Sequence, residues 1–402
     1  MSHAQASNQI LANVRVLDFG RYVAGPYCAT LLGYLGADVI RIEKIGGSED
    51  RYIAPVTASG EGGVFLQTAC NKRSICIDLG AAGARKVVAR LVASADVVVA
   101  NLPAALLQRL GLDYTSLCEI RPDIILASQS SFGDRGPDAG KGGFDGVGQA
   151  LSGAMYISGT PGQPMKAAAP YVDYATATLA AFGTLAALME RERSGIGQEV
   201  SATLLGTALA VFNSHLIEQG VGAVDRVGTG NRVQTSSPSD VFETRDGHVL
   251  THVVGNGLFR RWARLIGEED KWTSDPRFAT DQLRGDYRDV ICERMAIWCA
   301  ARTTDEAVAQ LNSAGLPAAA ILSPQQAIDN PQVTAMGLLQ EVDFPGMVRP
   351  APVAGLPLHF SRSPAGIRSA PPRLGEHSDE ILRELGFDDD ERIRLRQSGI
   401  IA

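Results

Sequence analysis

Residues 164–200 read PMKAAAPYVDYATATLAAFGTLAALMERERSGIGQEV and contain a long apolar, Ala-rich run. Its small apolar residues predict one continuous helix over about 174–193, because Ala and Leu favour helix and no proline interrupts the run. One carboxylate, Asp173, stands where that helix begins. A helix N-terminus carries free N–H groups and about half a unit of positive charge. Asp173 is therefore predicted either to cap the helix or to be a carboxylate held in one pose for chemistry.

Composition and charge narrow the class of protein. The chain has 402 residues and a formal net charge of −7, without the clustered excess of Lys and Arg that a nucleic-acid partner requires. Its six cysteines are scattered, with no C-x-x-C pair and no histidines at metal-ligand spacing, so we expect free thiols and no metal. The sequence shows neither a signal peptide nor an apolar run long enough to span a membrane. We expect a cytoplasmic protein that does not contact a membrane.

Short apolar strands alternate with helical patterns in the first third of the chain. Runs rich in Val, Ile and Leu occur at 14–19, 37–43, 74–79, 95–100 and 123–128. This alternation predicts an α/β fold with a Rossmann-like parallel sheet that carries helices on both faces. The first strand continues as DFGRYVAGP rather than G-x-G-x-x-G, so no nicotinamide cofactor is expected.

The pattern divides the chain into a large domain, a linker and a smaller domain. We predict that 1–217 form the first part of the large domain, 218–237 a linker, and 238–325 a smaller α+β domain. The smaller domain begins with a hairpin whose turn is Asp246-Gly247. Residues 326–402 are Pro-rich and then helical, and they are predicted to return as a strap that completes the large domain.

Six motifs spread over nearly the whole chain resemble one family, the class III CoA-transferases. They are DFGRYVAGPYCATLLGYLGADVIRIEK, NKRSICIDL, ADVVVANLPAALLQRLGLDY, PDIILASQSSFGDRGP, the Asp173 stretch with ERSGIGQEVSATLL, and LGEHSDEILRELG. The resemblance implies an enzyme whose substrates are an acyl-CoA, which carries coenzyme A, and a small carboxylic acid. It also implies an interlocked homodimer, in which each chain passes through an opening in the other.

The resemblance implies that Asp173 is the catalytic nucleophile. In the family, the matching carboxylate attacks the acyl-CoA thioester and forms a mixed anhydride and then an aspartyl-CoA thioester. Covalent catalysis of this kind divides one difficult transfer into easier exchanges. The segment Gly255-Asn256-Gly257 matches a glycine-rich loop that covers the family's site, and its N–H groups suit an oxyanion hole or a mobile lid. An ordinary turn between hairpin and helix is the alternative for this segment.

A CoA site in the N-terminal half also follows from the resemblance. The matching positions are Val23, Ala24, Lys44, Asn71, Lys72, Arg73, Asn101, Leu102, Arg109 and, within about one residue, Lys141. The basic side chains among them are suited to neutralising the nucleotide phosphates, and the ends of parallel strands are where such sheets bind ligands. Each basic residue alone is better explained as a solvated surface charge, but together, at positions that match the family, they favour a phosphate-binding cleft.

The acids that exchange CoA are not identified by the sequence. Tyr52, Met155, Tyr156 and the Gly255 segment are candidates for the acyl pocket, and Arg51 or Lys166 for the carboxylate of the acceptor. Transfer between two carboxylates of a single molecule is an open alternative.

Two further alternatives concern the activity itself. The α-methylacyl-CoA racemases of the same superfamily use a His and Asp pair, but the position of that histidine is occupied by Phe144, which cannot exchange a proton. The other alternative is a CoA-binding protein without activity. The presence of Asp173 and of the Gly255 segment argues against it.

Overall fold

The computed structural model describes residues 9–402, which form two compact units. The first unit contains the chain up to Ser152, Ala167–Leu216 and Pro331–Ala402, and the second contains Gly153–Lys166 and Ile217–Asn330. These limits differ from the predicted domains, because 153–166 and 218–237 both belong to the second unit. A backbone hydrogen bond from the Gly230 N–H to the Gly159 carbonyl joins these two segments within the second unit.

The secondary structure elements are as follows, in chain order. The strands are β1 Arg15–Asp18, β2 Asp38–Glu43, β3 Lys72–Cys76, β4 Val97–Ala100, β5 Ile125–Ser130, β6 Gly159–Thr160, β7 Gln163–Pro164, β8 Glu199–Thr203, β9 Ser239–Glu243, β10 His248–His252, β11 Ala318–Ala320, β12 Leu339–Val342 and β13 Ala351–Ala354. The α-helices are α1 Ala24–Tyr34, α2 Gly63–Thr68, α3 Ala84–Ala93, α4 Ala104–Leu110, α5 Tyr114–Ile120, α6 Asp145–Leu151, α7 Ala154–Ile157, α8 Tyr171–Ser194, α9 Leu204–Gly222, α10 Gly255–Leu265, α11 Glu269–Thr273, α12 Asp281–Asp286, α13 Arg288–Ala300, α14 Thr304–Ser313, α15 Pro324–Ile328, α16 Pro331–Ala335, α17 Ser378–Glu384 and α18 Asp389–Gln397. Short 3-10 helices occupy Glu49–Tyr52 and Pro276–Phe278.

A parallel sheet of six strands organises the first unit. Its order is β3-β2-β1-β4-β5-β8, and every pair of neighbours is parallel. The central strand β1 pairs on both sides, with Val16 opposite Val39 on β2 and Val97 on β4. This is the strand order of a doubly wound sheet, in which ligands bind beyond the carboxyl ends of the strands. The predicted α/β class with a parallel sheet is confirmed.

Each face of this sheet is covered by helices. On one face, Leu17 and Ile40 pack in a core that includes Val87 of α3 and Leu117 of α5. On the other face, the alternate strand residues pack against α1 and α8. Neighbouring residues of a strand point to opposite faces, so runs such as Val97–Ala100 are buried on both sides and are apolar throughout.

Helix α8 begins at Tyr171 and ends at Ser194, where Gly195 takes the left-handed conformation that ends many helices. By length and composition this helix could cross a membrane, which was not expected from the sequence. Its residues Ala177, Ala180, Ala181 and Leu188 are nevertheless buried in the core of the first unit. The core helix of a soluble protein meets the same criteria of length and composition.

The second unit contains an antiparallel sheet in the order β11-β10-β9. Strands β9 and β10 form the predicted hairpin around Asp246-Gly247, with His248 opposite Glu243. Trp262 of α10 and Met295 of α13 are fully buried in its core. A capping box is present at the start of α14, because Thr303 and Glu306 cap each other's backbone N–H groups.

The return segment joins the first unit through Asn71. The Asn71 Oδ1 atom accepts hydrogen bonds from the Arg368 and Ser369 N–H groups at 2.7 and 3.0 Å, and Nδ2 donates to the Gly366 carbonyl at 2.7 Å. Asn71 itself is left-handed, with φ of 62°. Asn is among the few residues that adopt this conformation readily, which places its amide against the returning chain.

Candidate active site

Asp173 is the third residue of α8, in the first turn, where helix N–H groups have no partner within the helix. The preceding Pro170 contributes no side-chain cap. Asp173 is buried, with 9% of its surface exposed. Within residues 9–402, no group donates a hydrogen bond to its carboxylate. The predicted interpretation of Asp173 as an ordinary cap of its own helix therefore does not hold.

The first turn of α8 is capped by a side chain of another helix, α6. Asp145 Oδ1 accepts hydrogen bonds from the Val172 and Asp173 N–H groups at 2.7 and 3.3 Å. Its other oxygen, Oδ2, accepts one from Gln149 Nε2 at 2.6 Å. Gln149 Oε1 in turn accepts the Ala167 N–H at 2.9 Å. Asp145 and Gln149 are four residues apart, which places both on one face of α6.

The surroundings of Asp173 disfavour its charged form. Burial first, and then the nearby Asp145 carboxylate, raise the pKa of Asp173 to about 6. Above that pH the carboxylate is ionised but poorly solvated. Such a carboxylate attacks an electrophile more readily than one in water.

Aromatic side chains contribute to the burial of this region. The Tyr174 ring packs edge to face against Tyr27 of α1, with ring centroids 4.8 Å apart. Its hydroxyl donates a hydrogen bond to Gln67 Oε1 of α2 at 2.5 Å. One turn below Asp173, the buried Thr176 hydroxyl makes no hydrogen bond to the described chain. These aromatic and hydroxyl groups carry no charge, so the charged neighbour of Asp173 is the Asp145 carboxylate.

The turn between β1 and α1 is held by Asn101, one of the predicted CoA-binding residues. Asn101 follows β4, and its side-chain amide binds both backbone groups of one residue of the turn. Oδ1 accepts the Arg21 N–H at 2.7 Å, and Nδ2 donates to the Arg21 carbonyl at 2.8 Å. Val23 and Ala24, also predicted, are buried where α1 begins, and no side chain caps that helix. The first N–H groups of α1 are thus suited to an anionic ligand.

Six charged side chains form a buried charge cluster near the carboxyl ends of β1 and β2. They are Asp18, Arg41, Glu43, Asp50, Arg51 and Lys72. Their shortest ion pairs join Lys72 to Asp18 at 2.7 Å, Arg41 to Asp50 at 2.6 Å and Arg51 to Glu43 at 2.6 Å. Burial alone would raise the pKa of Glu43, but the positive charges of Arg41 and Arg51 outweigh it and lower that pKa to about 2.

The buried charge cluster corrects two predictions. Lys72 was expected to bind a phosphate, but its ammonium group is fully buried and bonded to Asp18 and to the Pro26 carbonyl. Arg51 was a candidate for the acceptor carboxylate, but its guanidinium is fully buried against Glu43. Both cations instead neutralise buried carboxylates, because a buried charge requires a partner.

The other predicted CoA-binding residues fall into two groups. Lys44, Arg109 and Lys141 are exposed, and Lys44 directly follows the end of β2. Arg73 is largely covered and pairs with three carboxylates, those of Asp38, Glu380 and Glu384. The amide of Asn71 holds the return segment, and Leu102 packs against the core. Contact of Arg73, Asn71 and Leu102 with CoA stays a prediction.

The Gly255 segment lies in the second unit and is not a loop. Gly255, with φ of 83°, is the first residue of α10, and only Val253 and Val254 separate this helix from β10. The Gly255 N–H donates to the Asp281 carboxylate at 2.8 and 3.0 Å, and Asn256 Oδ1 accepts a hydrogen bond from Arg284. The predicted lid is thus the first turn of a helix. The Gly255 N–H is occupied, whereas Gly257 is exposed.

The residues predicted for the acyl pocket are divided between the units. Tyr52 belongs to the first unit, where its hydroxyl donates to the Gly46 carbonyl at 3.0 Å. Met155, Tyr156 and Lys166 belong to the second unit. Tyr156 and Lys166 are exposed.

Metal-ligating side chains and thiols are the other groups that could carry chemistry in the described chain. Between residues 9 and 402, no group of three or more His, Cys, Asp or Glu side chains could hold a metal ion. All six cysteines are free, and five of them are buried. Burial raises the pKa of Cys28 to about 12, so this thiol is protonated at neutral pH and is a poor nucleophile.

Sequence reasoning missed three residues that shape the site. Asp145 caps the helix of Asp173, and Gln149 donates a hydrogen bond to Asp145. Arg21 donates hydrogen bonds to the Phe19, Gly20 and Ile42 carbonyls. Arg21 was detectable, because it stands in the turn after the first strand. An Asp followed four residues later by a Gln in GGFDGVGQALSG was visible too, but its partner helix was not.

Comparison with known proteins gives the family. The model of CoA-transferase family III matches residues 11–378. Succinyl-CoA–D-citramalate CoA-transferase of Chloroflexus aurantiacus is 32% identical, over 97% of this chain and 98% of its own length. Succinate–glutarate CoA-transferase of Agrobacterium fabrum is also 32% identical, over 93% and 95% of the two chains.

A solved structure agrees with these relatives. The crystal structure of a CaiB/BaiF family protein from Brucella suis superposes with a TM-score of 0.82 and 29% identity, over 94% of this chain and all of that one. The chain therefore belongs to CoA-transferase family III and is a class III CoA-transferase. The resemblance seen in the motifs is confirmed.

Proposed function

We propose that this enzyme moves CoA from the thioester of one small dicarboxylic acid, such as succinyl-CoA, to a second small dicarboxylic acid through Asp173. The observation that carries the proposal is the buried Asp173 carboxylate, which receives no hydrogen bond from the described chain and has a pKa raised to about 6. The class of acid comes from the relatives, whose names pair succinyl-CoA with D-citramalate and succinate with glutarate.

The first half of the reaction loads CoA onto Asp173. A carboxylate oxygen attacks the thioester carbon, the C–S bond breaks, and CoA leaves as a thiolate. Asp173 and the donor acid are then joined as a mixed anhydride. The thiolate attacks the Asp173 carbonyl carbon of that anhydride, which releases the donor carboxylate and leaves an aspartyl-CoA thioester.

The second half repeats these steps with the acceptor. The acceptor carboxylate attacks the aspartyl thioester and expels the CoA thiolate, giving a second anhydride. The thiolate then attacks the acceptor's carbonyl carbon. This step forms the new acyl-CoA and regenerates the Asp173 carboxylate. No water, proton or redox partner is consumed, and holding the thiolate and the anhydride together avoids their hydrolysis.

Binding of CoA is proposed at the carboxyl end of the sheet in the first unit. The first N–H groups of α1 are suited to a phosphate. The exposed cations Lys44, Arg109 and Lys141 are the remaining candidates for the nucleotide phosphates. The proposed oxyanion role of Asn256 and Gly257 rests on the resemblance. Lys166 is proposed for the acceptor because an acidic acceptor needs a cation close by.

The alternative activities make different products. A racemase exchanges the α-proton, and Phe144 at the histidine position is an exposed ring packed edge to face against Tyr22 at 5.3 Å. Intramolecular transfer moves CoA within one acid and therefore needs no acceptor. A binding protein makes no new thioester.

A homodimer is also part of the proposal. Leu179, Phe182, Ala186 and Met189 recur at spacings of three and four residues along α8, which places them on one face. All four are exposed, and Phe182 and Met189 are 70% and 71% accessible. An apolar stripe of this kind is typical of a surface that meets another protein. We propose a second copy of this chain as its partner, in the interlocked arrangement that the resemblance implies.

The cellular setting is proposed from the thiols and from α8. Six free cysteines suit a reducing compartment. Helix α8 has one face packed in the core of the first unit, with the buried Asp173 in its first turn. We therefore propose a cytoplasmic enzyme that does not use this helix to enter a membrane.

One incubation in deuterium oxide tests the activity. Purified enzyme receives succinyl-CoA and a pool of small dicarboxylic acids, and mass spectrometry identifies every CoA ester formed. Asp173→Asn is the test variant. Asp305→Asn is the matched control, because Asp305 also lies in a first helical turn but is exposed.

The proposal expects CoA to appear on a new acid that carries no carbon-bound deuterium. This transfer is expected to be lost in Asp173→Asn and kept in the Asp305→Asn control. Deuterium in an acid that retains its CoA would instead support a racemase. CoA that moves between the carboxylates of its own acid in the absence of any acceptor would support intramolecular transfer. Bound acyl-CoA that never reacts would contradict the proposed function.

A further inference from the structure

We infer that Asp145 is the positioning residue for Asp173: it takes the N–H groups of the first turn of α8, so that the Asp173 carboxylate is left without donors and turned toward substrate. The inference rests on the proposed function and concerns how this chain makes its carboxylate reactive. Asp145 does not itself touch the reacting atoms. Its action is through the backbone of Val172 and Asp173.

The geometry at the start of α8 is unusual for an acidic residue in this position. In a capping box, the side chain of the third helical residue accepts the N–H of the cap residue. Asp173 occupies that third position, but the cap residue is Pro170, which has no N–H to give. The N–H groups of Val172 and Asp173 are already taken by Asp145.

Helix α14 of the same chain contains the backbone hydrogen bond that Asp173 lacks within residues 9–402. At the start of α14, Glu306 occupies the same third position and accepts the N–H of the cap residue Thr303 at 2.9 Å. That backbone hydrogen bond is the main cause that lowers the pKa of Glu306. A carboxylate stabilised in this way is a weaker nucleophile. The Asp173 carboxylate, by contrast, accepts no backbone N–H of the described chain, and its pKa is raised rather than lowered.

The Asp145 side chain is itself held in place by Gln149. Gln149 Nε2 donates to Asp145 Oδ2, and Gln149 Oε1 accepts the Ala167 N–H, so both oxygens of Asp145 have defined partners. Asp145 and Gln149 are 6% and 2% exposed. The chain of contacts therefore joins α6 to the segment before α8 and fixes the entry of that helix.

The groups that titrate around Asp173 come from three helices. Asp145 faces it from α6, Tyr171 and Tyr174 lie on its own helix, and Tyr27 of α1 packs against Tyr174. Burial raises the pKa of each of these tyrosines, so all three stay neutral in the acid range. Asp145 is thus the charged group whose removal changes the field at Asp173.

The test uses two variants of Asp145 and one control in the full-length enzyme. Asp145→Asn keeps an acceptor for the two N–H groups but removes the charge, whereas Asp145→Ala removes both. Asp113→Asn is the matched control, because Asp113 also caps a helix by accepting the Ser116 N–H but belongs to α5. The rate of adduct formation with saturating succinyl-CoA is followed by intact mass from about pH 4.5 to 8.5.

In Asp145→Asn, the acid limb of the rate profile is expected to move about 0.5 to 1 pH unit lower, with a lower plateau because a less basic carboxylate is less reactive. Asp145→Ala is expected to lose about tenfold or more in rate while the KM for succinyl-CoA changes by about twofold or less. The control keeps the wild-type acid limb. A folded Asp145→Asn enzyme with an unmoved acid limb overturns the inference.

A second measurement needs no activity and separates this inference from the proposed function. If wild-type enzyme transfers CoA to no acid, the proposed function fails. The coupling between the two carboxylates is still measurable from the thermal midpoints of Asp145→Asn, Asp173→Asn and the double variant at about pH 8. The inference expects Asp173→Asn to raise the midpoint less when residue 145 is neutral. Equal shifts in both backgrounds contradict it.

Discussion

The ammonium group of Lys72 lies 2.7 Å from the Asp18 carboxylate, and both side chains are fully buried. Lys72 also donates to the Pro26 carbonyl of α1 at 2.7 Å. One cation from β3 therefore joins the end of β1 to the first turn of α1. The turn between them carries Arg21 and Val23, beside the proposed phosphate site, so this ion pair supports the site without contacting the ligand.

Replacing Lys72 by Met is expected to destabilise the protein rather than to weaken CoA binding selectively. The substitution leaves Asp18 as a buried charge without this partner, which costs on the order of 3–5 kcal/mol of unfolding free energy. Denaturant melts measure the loss. Lys44→Met is the control, because Lys44 is exposed and is expected to melt like wild type. A stable Lys72→Met protein with a raised KM for acyl-CoA would show instead that Lys72 takes part in CoA binding.

Substitution of the exposed cations Lys44 and Arg109 is expected to weaken CoA binding rather than to destabilise the protein. Lys44→Ala and Arg109→Ala should each weaken CoA binding about two- to tenfold at low salt, with little change in stability. The effect should shrink in high salt, because exposed charges are screened. Calorimetric titration with CoA at two salt concentrations measures it. Lys271→Ala in the second unit is the control, and equal losses in all three variants would contradict this site.

Asp173 is expected to destabilise the folded state at neutral pH. Its pKa is about 6 when folded and about 3.9 in an unfolded chain. The folded state therefore binds more protons between these values, and the unfolding free energy falls as the pH rises through that range. Asp173→Asn should be more stable than wild type at about pH 8, by on the order of 1–2 kcal/mol after solvent screening, and equal to it near pH 4.

Thermal melts at both pH values check this sign, with Asp305→Asn as the exposed control. A variant that is equally stable or less stable than wild type at the higher pH would show that the Asp173 carboxylate is not strained by burial. Such a result would also remove a physical reason for its reactivity.

The exposed stripe on α8 predicts the oligomeric state. Phe182→Glu with Met189→Lys is expected to abolish a homodimer, because charges in an apolar interface cost several kcal/mol. Sedimentation velocity measures the change. Ile393→Glu on α18 is the control, since Ile393 is also exposed but lies far along the chain in another helix. Wild-type protein that is monomeric at micromolar concentration would contradict the dimer.

The parts of the fold that depend on local pattern could be predicted from the sequence. Val97–Ala100 is apolar because it is buried on both faces, and α8 is continuous because no proline interrupts it. Asp173 could be found because it is the one carboxylate at the start of that helix.

The parts that depend on contacts between distant residues could not be predicted in the same way. Lys72 and Asp18 are 54 residues apart, and their pairing follows from the order of the strands. Asp145 and Asp173 are 28 residues apart, and the contact depends on how α6 meets α8. The Gly255 segment has the composition of a loop, but its Gly255 N–H is held by Asp281 and the helix begins there.

The most direct test of the central claim is to trap CoA on Asp173. Enzyme is mixed with succinyl-CoA, quenched with hydroxylamine, which converts an aspartyl thioester or anhydride to a hydroxamate, and digested with trypsin. The expected result is a modified peptide of residues 167–191 with the hydroxamate at Asp173, absent from Asp173→Asn. CoA transfer that proceeds with residue 173 unmodified, or with the label on another side chain, would contradict the account.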